Sequence, residues 1–420
     1  MAELARWRLA RASRDWFSDT ELSFSADAYV RYLNERGYSP QTLAVYLESV
    51  AHFAHWSTRQ RIGLAEINED AVGRFLNQHL PICRCARRCQ RTRHGVRAAL
   101  VHLLKLLRAG GRIAPRKSAD PATVAEEIHC FEHYLEQVCG LSPVTCRVRL
   151  QRVRAFLLDG FAAGHSRISA VKPADVVRFM AKYTQGWAAS SKRAAGDSLR
   201  SYFRFKALQG EHTATLSAAI PTVAQWRMAG LPKGISADQA TRLLRAFDRS
   251  STTGIRDYAI TRCLVDLGLR TIEVARLRLD DIDWRQGLIR ISGKGHRVDV
   301  LPLPQETGRA IVNYLRHGRP QTSSRALFMR YRPPLDTPAT ACIVRAAVRY
   351  AARRCGLEHC FHGPHVLRHS LAQRLVQGGI PLKQIADLLR HRSLDTTTIY
   401  AKVDLPALSR VALPWPGRQS

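Results

Sequence analysis

Several things are scarce in this 420-residue sequence, and each scarcity removes a class of protein. Acidic residues are few: 34 Asp and Glu stand against 65 Lys and Arg, a formal net charge of +31. The excess is spread along the chain and not gathered in a tail. That is the footprint of a long polyanionic partner, with nucleic acid the first candidate. An Arg-rich composition inherited from a GC-rich genome would give the same balance. No stretch of about 20 residues is free of charge, so no membrane span is expected. The opening MAELARWRLARASRDW lacks the apolar run of a secretory signal and reads as a basic N-terminal arm, residues 1–22. The ten cysteines form no small-scaffold framework, which fits reduced thiols in a cytosol. Paired C-x2-C knuckles are missing too. Cys83, Cys85 and Cys89 with His94 follow C-x-C-x3-C-x4-H and have no second half nearby. They read as ordinary thiols beside a basic, DNA-facing helix, so no metal is expected.

What is present begins with a repeat. YLNERGYSPQT (32–42) and YLEQVCGLSPVT (134–145) both place Ser-Pro where a helix should start. Ser39 and Ser142 are the expected N-caps, with Pro40 and Pro143 at the first helical position. Phe53 and Phe156 keep the 103-residue offset of the two prolines. INEDAVGRFL and VKPADVVRFM then correspond, as do VRAALVHLLKLLRAGG and GDSLRSYFRFKALQG. Two helical modules of about 90 residues are expected, 23–112 and 124–211. Residues 113–122 read as the linker between them and 212–235 as the linker beyond.

From 236 the character changes. SADQATRLLRAF opens a helix with a capping box from Ser236 to Gln239. GLIRISGKGHRVDVLPLP alternates like two short strands around a Gly-Lys-Gly turn. From 337 the pattern is helical again, broken at HGP (362–364) and GGIP (378–381). The expected domain, 236–405, is α-rich with a small antiparallel sheet, and a tail with Trp415 between two prolines follows at 406–420.

His365 and Arg368 stand three apart, on one face of a helix. On its own this signal is weak, and the stretch also passes for a helix-turn-helix. The ordered set decides: Arg270 and Glu273 in GLRTIEVARL, Lys294 in SGKGHRV, His365, Arg368 and His369 in HVLRH, His391 and Tyr400 in LLRHRSLDTTTIY. This series resembles the tyrosine recombinase (phage integrase) family, whose catalytic domain carries Arg, Lys, His-x-x-Arg, His or Trp, and Tyr in that order. The second helical module resembles that family's core-binding domain, and the first looks like a duplicate of it.

The resemblance implies an enzyme that breaks and rejoins double-stranded DNA through a 3′-phosphotyrosine link, without metal, ATP or other cofactor. Its work would be integration, excision or transposition of a mobile element. Arg270 and Arg368 would hold the phosphate oxygens, Tyr400 attack, Lys294 protonate the leaving oxygen, His365 take or share the tyrosine proton, and His391 donate to the phosphate. Glu273 and His369 would support them. Arg390, where the family usually has Gly, and Arg392 are expected to contact DNA. A cytoplasmic homotetramer on paired DNA sites, with or without partner recombinases, completes the expectation. A type IB topoisomerase, a binding-only accessory protein and a helix-turn-helix regulator are the alternatives.

Overall fold

The computed structural model describes residues 16, 20–85, 92–115, 120–162, 167–224, 234–293, 298–361, 363–390 and 397–403. Most of the N-terminal arm, parts of both linkers and the whole 406–420 tail lie outside them. The chain divides into two compact units, 114–227 and the remainder. It is mostly helical, with one small antiparallel sheet.

The first module is built from α1 (Ser25–Asn34), α2 (Pro40–Arg59), α3 (Glu69–Arg74) and α4 (Arg93–Ala109). Past Arg74, α3 continues as a wider π-turn, Phe75–His79. Ser39 Oγ accepts the Thr42 N–H at 3.3 Å, and Pro40 takes the first helical position, where its missing N–H costs nothing. The core is apolar and aromatic: Tyr29, Val50, Phe53, Phe75, Val96 and Leu100 are all buried.

The second unit repeats the plan with α5 (Ala122–His133), α6 (Pro143–Ala162), α7 (Pro173–Tyr183), α8 (Ala189–Leu208) and the short α9 (Ala214–Ala218). Ser142 Oγ accepts the Thr145 N–H at 3.4 Å, so the second Ser-Pro works as the first does. The buried positions also repeat. Val153, Phe156, Leu199 and Phe203 fall 103 residues after Val50, Phe53, Val96 and Leu100, and all eight are buried.

The last domain packs α10 (Ala237–Arg245), α11 (Thr252–Asp266), α12 (Thr271–Arg276), α13 (Gln305–His317), α14 (Ala341–Arg354) and the start of α15 (His365–Gln377) around a main core, while the rest of α15 and α16 (Leu382–Leu389) form a smaller cluster with Tyr400. The expected capping box opens α10: Ser236 Oγ accepts the Gln239 N–H, and Gln239 Oε1 accepts the Ser236 N–H. Three strands, β1 (Ile282–Asp283), β2 (Leu288–Ser292) and β3 (Val298–Pro302), pair antiparallel in sequence order. Ile289 and Ile291 face the core while Arg290 and Ser292 face out, the period-2 alternation read from the sequence. β1 was not expected, because two residues show no alternation. The helix breaks at 362–364 and 378–381 fall where Gly and Pro put them.

Candidate active site

The site begins at a glycine. Gly268 has φ +57°, and a Cβ there would stand 2.9 Å from the side chains of Leu371 and Leu389. Only glycine fits both the backbone and the space. The turn it allows delivers Arg270 in extended conformation to the N-cap of α12. Arginine has no oxygen with which to cap a helix, so the roles reverse. Buried Glu273, one turn on, accepts the Arg270 backbone N–H at 2.7 Å on Oε2 and its Nη1 at 2.6 Å on Oε1. Glu273 Oε2 also accepts Arg390 Nη2 at 2.9 Å. Burial alone would push this carboxyl up. The Arg390 guanidinium, the Arg270 N–H and the Arg270 guanidinium outweigh it, and Glu273 titrates below the ordinary carboxylate range.

Arg390 ends α16 with φ 54° and ψ 50°, the left-handed conformation that usually calls for glycine. Its side chain is 5% exposed and turned onto Glu273, not outward as expected for a DNA contact. Its carbonyl also accepts Arg270 Nη2 at 3.4 Å. Arg270 itself stays 36% exposed at the side chain, so it can still meet an anion.

α15 brings the other half. Pro364 precedes it, and His365 sits exposed in its first turn. Arg368, three residues on, is 5% exposed; its Nη1 donates to the Gly268 carbonyl at 2.6 Å and its Nη2 to the Leu389 carbonyl. These two carbonyls fix the guanidinium. Burial, with the charges of Arg270 and Arg390, pushes Arg368 down to about 9, which leaves it cationic at neutral pH. His369 follows on the same face as His365, and its Nδ1 lies 2.7 Å from the Tyr400 hydroxyl.

Tyr400 belongs to a short 3-10 segment, Thr398–Val403, whose Tyr400 N–H donates to the Thr397 carbonyl. The ring is 2% exposed and packs with Leu371, Val376, Ile385 and Leu389. Burial raises its phenol above the ordinary value, and Arg368 opposes this only in part. Partial covering of the rings, the lesser for His365, and nearby positive charge lower both His365 and His369. At neutral pH the corner therefore holds a protonated phenol beside a neutral imidazole, whose Nδ1 accepts from the hydroxyl when the ring proton is on Nε2.

Of the residues expected from the sequence, Arg270, Glu273, His365, Arg368, His369, Arg390 and Tyr400 fall in this corner. Lys294, His391 and Arg392 lie outside the described residues; Lys294 stands between the end of β2 and the start of β3. From the sequence His365 is expected to take or share the tyrosine proton with His369 in support, and the hydroxyl's neighbour is His369. The H-x-x-R-H spacing puts both histidines on one face but does not say which one a tyrosine 31 residues away will reach. The Gly268 and Leu389 carbonyls that hold Arg368 carry no sequence signal, because any residue supplies a backbone acceptor.

Comparison with known proteins places these features. The profile described as Phage integrase family matches residues 233–405. The profile described as Phage integrase, N-terminal SAM-like domain, matches twice, at 26–110 and 128–210. A protein named as an integrase/recombinase, y4rA of Sinorhizobium fredii, is 37% identical over 391 residues, 93% of each chain. The tyrosine recombinase XerD of Listeria monocytogenes is 30% identical over 286 residues, 66% of this chain and 93% of that one. Among solved structures, the XerH site-specific recombinase bound to a palindromic difH substrate aligns with a TM-score of 0.55 at 20% identity, covering 81% of this chain and 93% of that one. The Tn1549 transposon integrase in complex with a circular intermediate DNA aligns with a TM-score of 0.51 at 16% identity, covering 68% and 99%. At such identities the structural likeness shows the fold.

Proposed function

Since this chain belongs to the phage integrase family of tyrosine recombinases, we propose that it cuts and rejoins duplex DNA at specific sites through a 3′-phosphotyrosine intermediate, for a mobile element. One observation carries the reading. Two guanidiniums, Arg270 and Arg368, share a corner with a phenol, Tyr400, whose hydroxyl already touches a neutral proton acceptor, His369.

Attack on a phosphodiester spreads negative charge over the non-bridging oxygens, which Arg270 would bind directly and Arg368 once the groups that cover it move aside. The Tyr400 oxygen forms a bond to phosphorus, and its proton passes to His369, with His365 one turn away. The P–O5′ bond breaks, and the departing oxygen takes a proton from Lys294. His391 donates to a phosphate oxygen. The phosphotyrosine link keeps the bond energy, so a 5′-hydroxyl can reverse the reaction without ATP. Glu273 acts by holding Arg270 and Arg390. Because Tyr400 is 2% exposed, the segment around it must move before the hydroxyl can meet a phosphate. The +31 charge supports double-stranded DNA as the partner, as do the DNA-bound structural neighbours. A homotetramer on paired sites, with or without partner recombinases, and a cytoplasmic location complete the proposal. No helix among the described residues is long and apolar enough to cross a membrane.

The test is covalent capture. Nicked duplexes from the gene's flanking DNA are incubated, in magnesium-free buffer, with the wild-type chain and with Tyr400→Phe. After nuclease digestion, mass spectrometry finds a nucleotide on Tyr400 in the wild type and none in the variant. Tight binding with no adduct on any flank would replace this reading with a binding-only accessory protein.

A further inference from the structure

Four side chains in the first module converge without any part in the chemistry above. His52 comes from the middle of α2, His79 is the last residue of the π-turn after α3, and Cys83 and Cys85 follow directly. His52 Nε2 lies 3.1 Å from His79 Nε2 and 3.3 Å from Cys83 Sγ, and Cys85 Sγ lies 3.7 Å from His79 Nε2. All four donor atoms fall within 4.8 Å of one another. With metal–nitrogen bonds near 2.0 Å and metal–sulfur bonds near 2.3 Å, a tetrahedron has N–N edges of about 3.3 Å and N–S edges of about 3.6 Å. The His52–His79, His52–Cys83 and His79–Cys85 separations, 3.1, 3.3 and 3.7 Å, are close to those edges.

We propose that His52, His79, Cys83 and Cys85 bind one structural zinc ion. Two imidazoles and two thiolates in a closed tetrahedron are a donor set that zinc favours. Zn2+ displaces the two thiol protons, and the resulting centre is neutral, so it can sit where His52 is 1% and Cys83 8% exposed. The Cys85 backbone N–H points at Cys83 Sγ at 3.3 Å, a donor that supports negative charge on that sulfur.

The placement within the fold gives an independent reason. In the second module Ala155 stands 103 residues after His52, and Tyr183 stands 104 after His79, the offset of Phe179 from Phe75; the Tyr183 ring packs at a tilt on Trp187, 5.1 Å away. The fold can thus close this corner with apolar groups, and the first module has put four ligand atoms there instead. The set differs from the Cys83, Cys85, Cys89 and His94 grouping that the sequence suggests. His94 is exposed in the first turn of α4, and Cys89 lies outside the described residues.

The test is metal content of the full chain. Protein expressed in zinc-supplemented medium, then gel-filtered, is expected to carry about one zinc per chain by mass spectrometry. After removal of zinc, Co2+ titration should give the charge-transfer and ligand-field bands of a tetrahedral thiolate site. Cys85→Ser should lower zinc content at least tenfold, whereas Cys89→Ser and the exposed Cys139→Ser should leave it unchanged. A wild-type chain that holds no zinc and gives no thiolate–cobalt band overturns the proposal, as does retention of zinc by Cys85→Ser with loss in Cys89→Ser. The wild-type readings need no variant, so misfolding of a mutant does not obscure the answer. None depends on DNA cleavage, so this proposal and the recombinase reading can fail separately.

Discussion

In the first helical module Phe75 stacks on His79 at 5.3 Å, and in the second, 104 residues on, Phe179 stacks on Tyr183 at 4.9 Å. The pair is the same in geometry but not in chemistry. His52 corresponds to Ala155, His79 to Tyr183 and His102 to Phe205. His102 bridges the hydroxyls of Tyr32 and Tyr38, whereas Phe205 packs on Phe131 and Tyr134. One copy of the plan is closed by apolar rings and the other by imidazoles and thiols. Their common positions therefore report what the fold requires, and their differences report what each copy has acquired. The π-turns fit this division by their places: the first copy has one at Phe75–His79, after α3, and the second has one at Tyr134–Val138, after α5.

The largest effect should come from what the copies share. Phe53 and Phe156 occupy matching buried positions, and removing a buried phenylalanine ring costs about 3–5 kcal/mol. Phe53→Ala and Phe156→Ala should each lower amide protection in hydrogen exchange, read by mass spectrometry on the full chain. Each loss should be confined to the variant's own module. Loosening of both modules by either variant would break the comparison, because the two copies would then unfold as one cooperative unit.

The repeat was legible because it rests on local rules. Ser39, Ser142 and Ser236 announce helix starts through their own side chains, and the buried positions follow the period of an amphipathic helix. Arg270 with Glu273, and His365 with Arg368, were legible as pairs because each lies within one helical turn. What escaped was long-range. His52 and His79 are 27 residues apart and meet only when α2 and α3 pack. Arg390 looked like an outward basic residue, yet its left-handed backbone aims it at Glu273, 117 residues earlier in the chain. Spacing singles out Tyr400, but packing decides which histidine its hydroxyl touches.

A smaller effect sharpens the comparison at the helix starts. Ser39 Oγ and Ser142 Oγ accept the N–H of Thr42 and Thr145 at 3.3 and 3.4 Å, and each also meets that threonine's hydroxyl, at 3.0 and 2.9 Å. Loss of such a cap costs about 1 kcal/mol. Ser39→Ala and Ser142→Ala should therefore shift their own modules' exchange by equal amounts. A loss of more than about 2 kcal/mol at one site alone would show that its serine does more than cap a helix.

The smallest difference should appear with pH, and only in the first module. Burial lowers the half-buried His102, and the charges of Lys105 and Arg36 add to this, so the folded chain prefers the neutral ring. Above about pH 6.5, the ordinary histidine value, folded and unfolded chains both carry neutral His102 and stability is complete. As pH falls below that value the unfolded chain takes up a proton first, and the folded module loses stability until pH passes the depressed native value. Phe205, at the matching position, has no proton to exchange. Hydrogen exchange on the full chain, corrected for intrinsic rates and compared between about pH 7.5 and about pH 5.5, should show the first module weakening relative to the second. His102→Phe should reduce that difference, while Tyr32 and Tyr38 give up one hydrogen bond each. If the difference survives the substitution unchanged, the acid sensitivity belongs to other groups, and His102 stands in its place as a polar equivalent of Phe205.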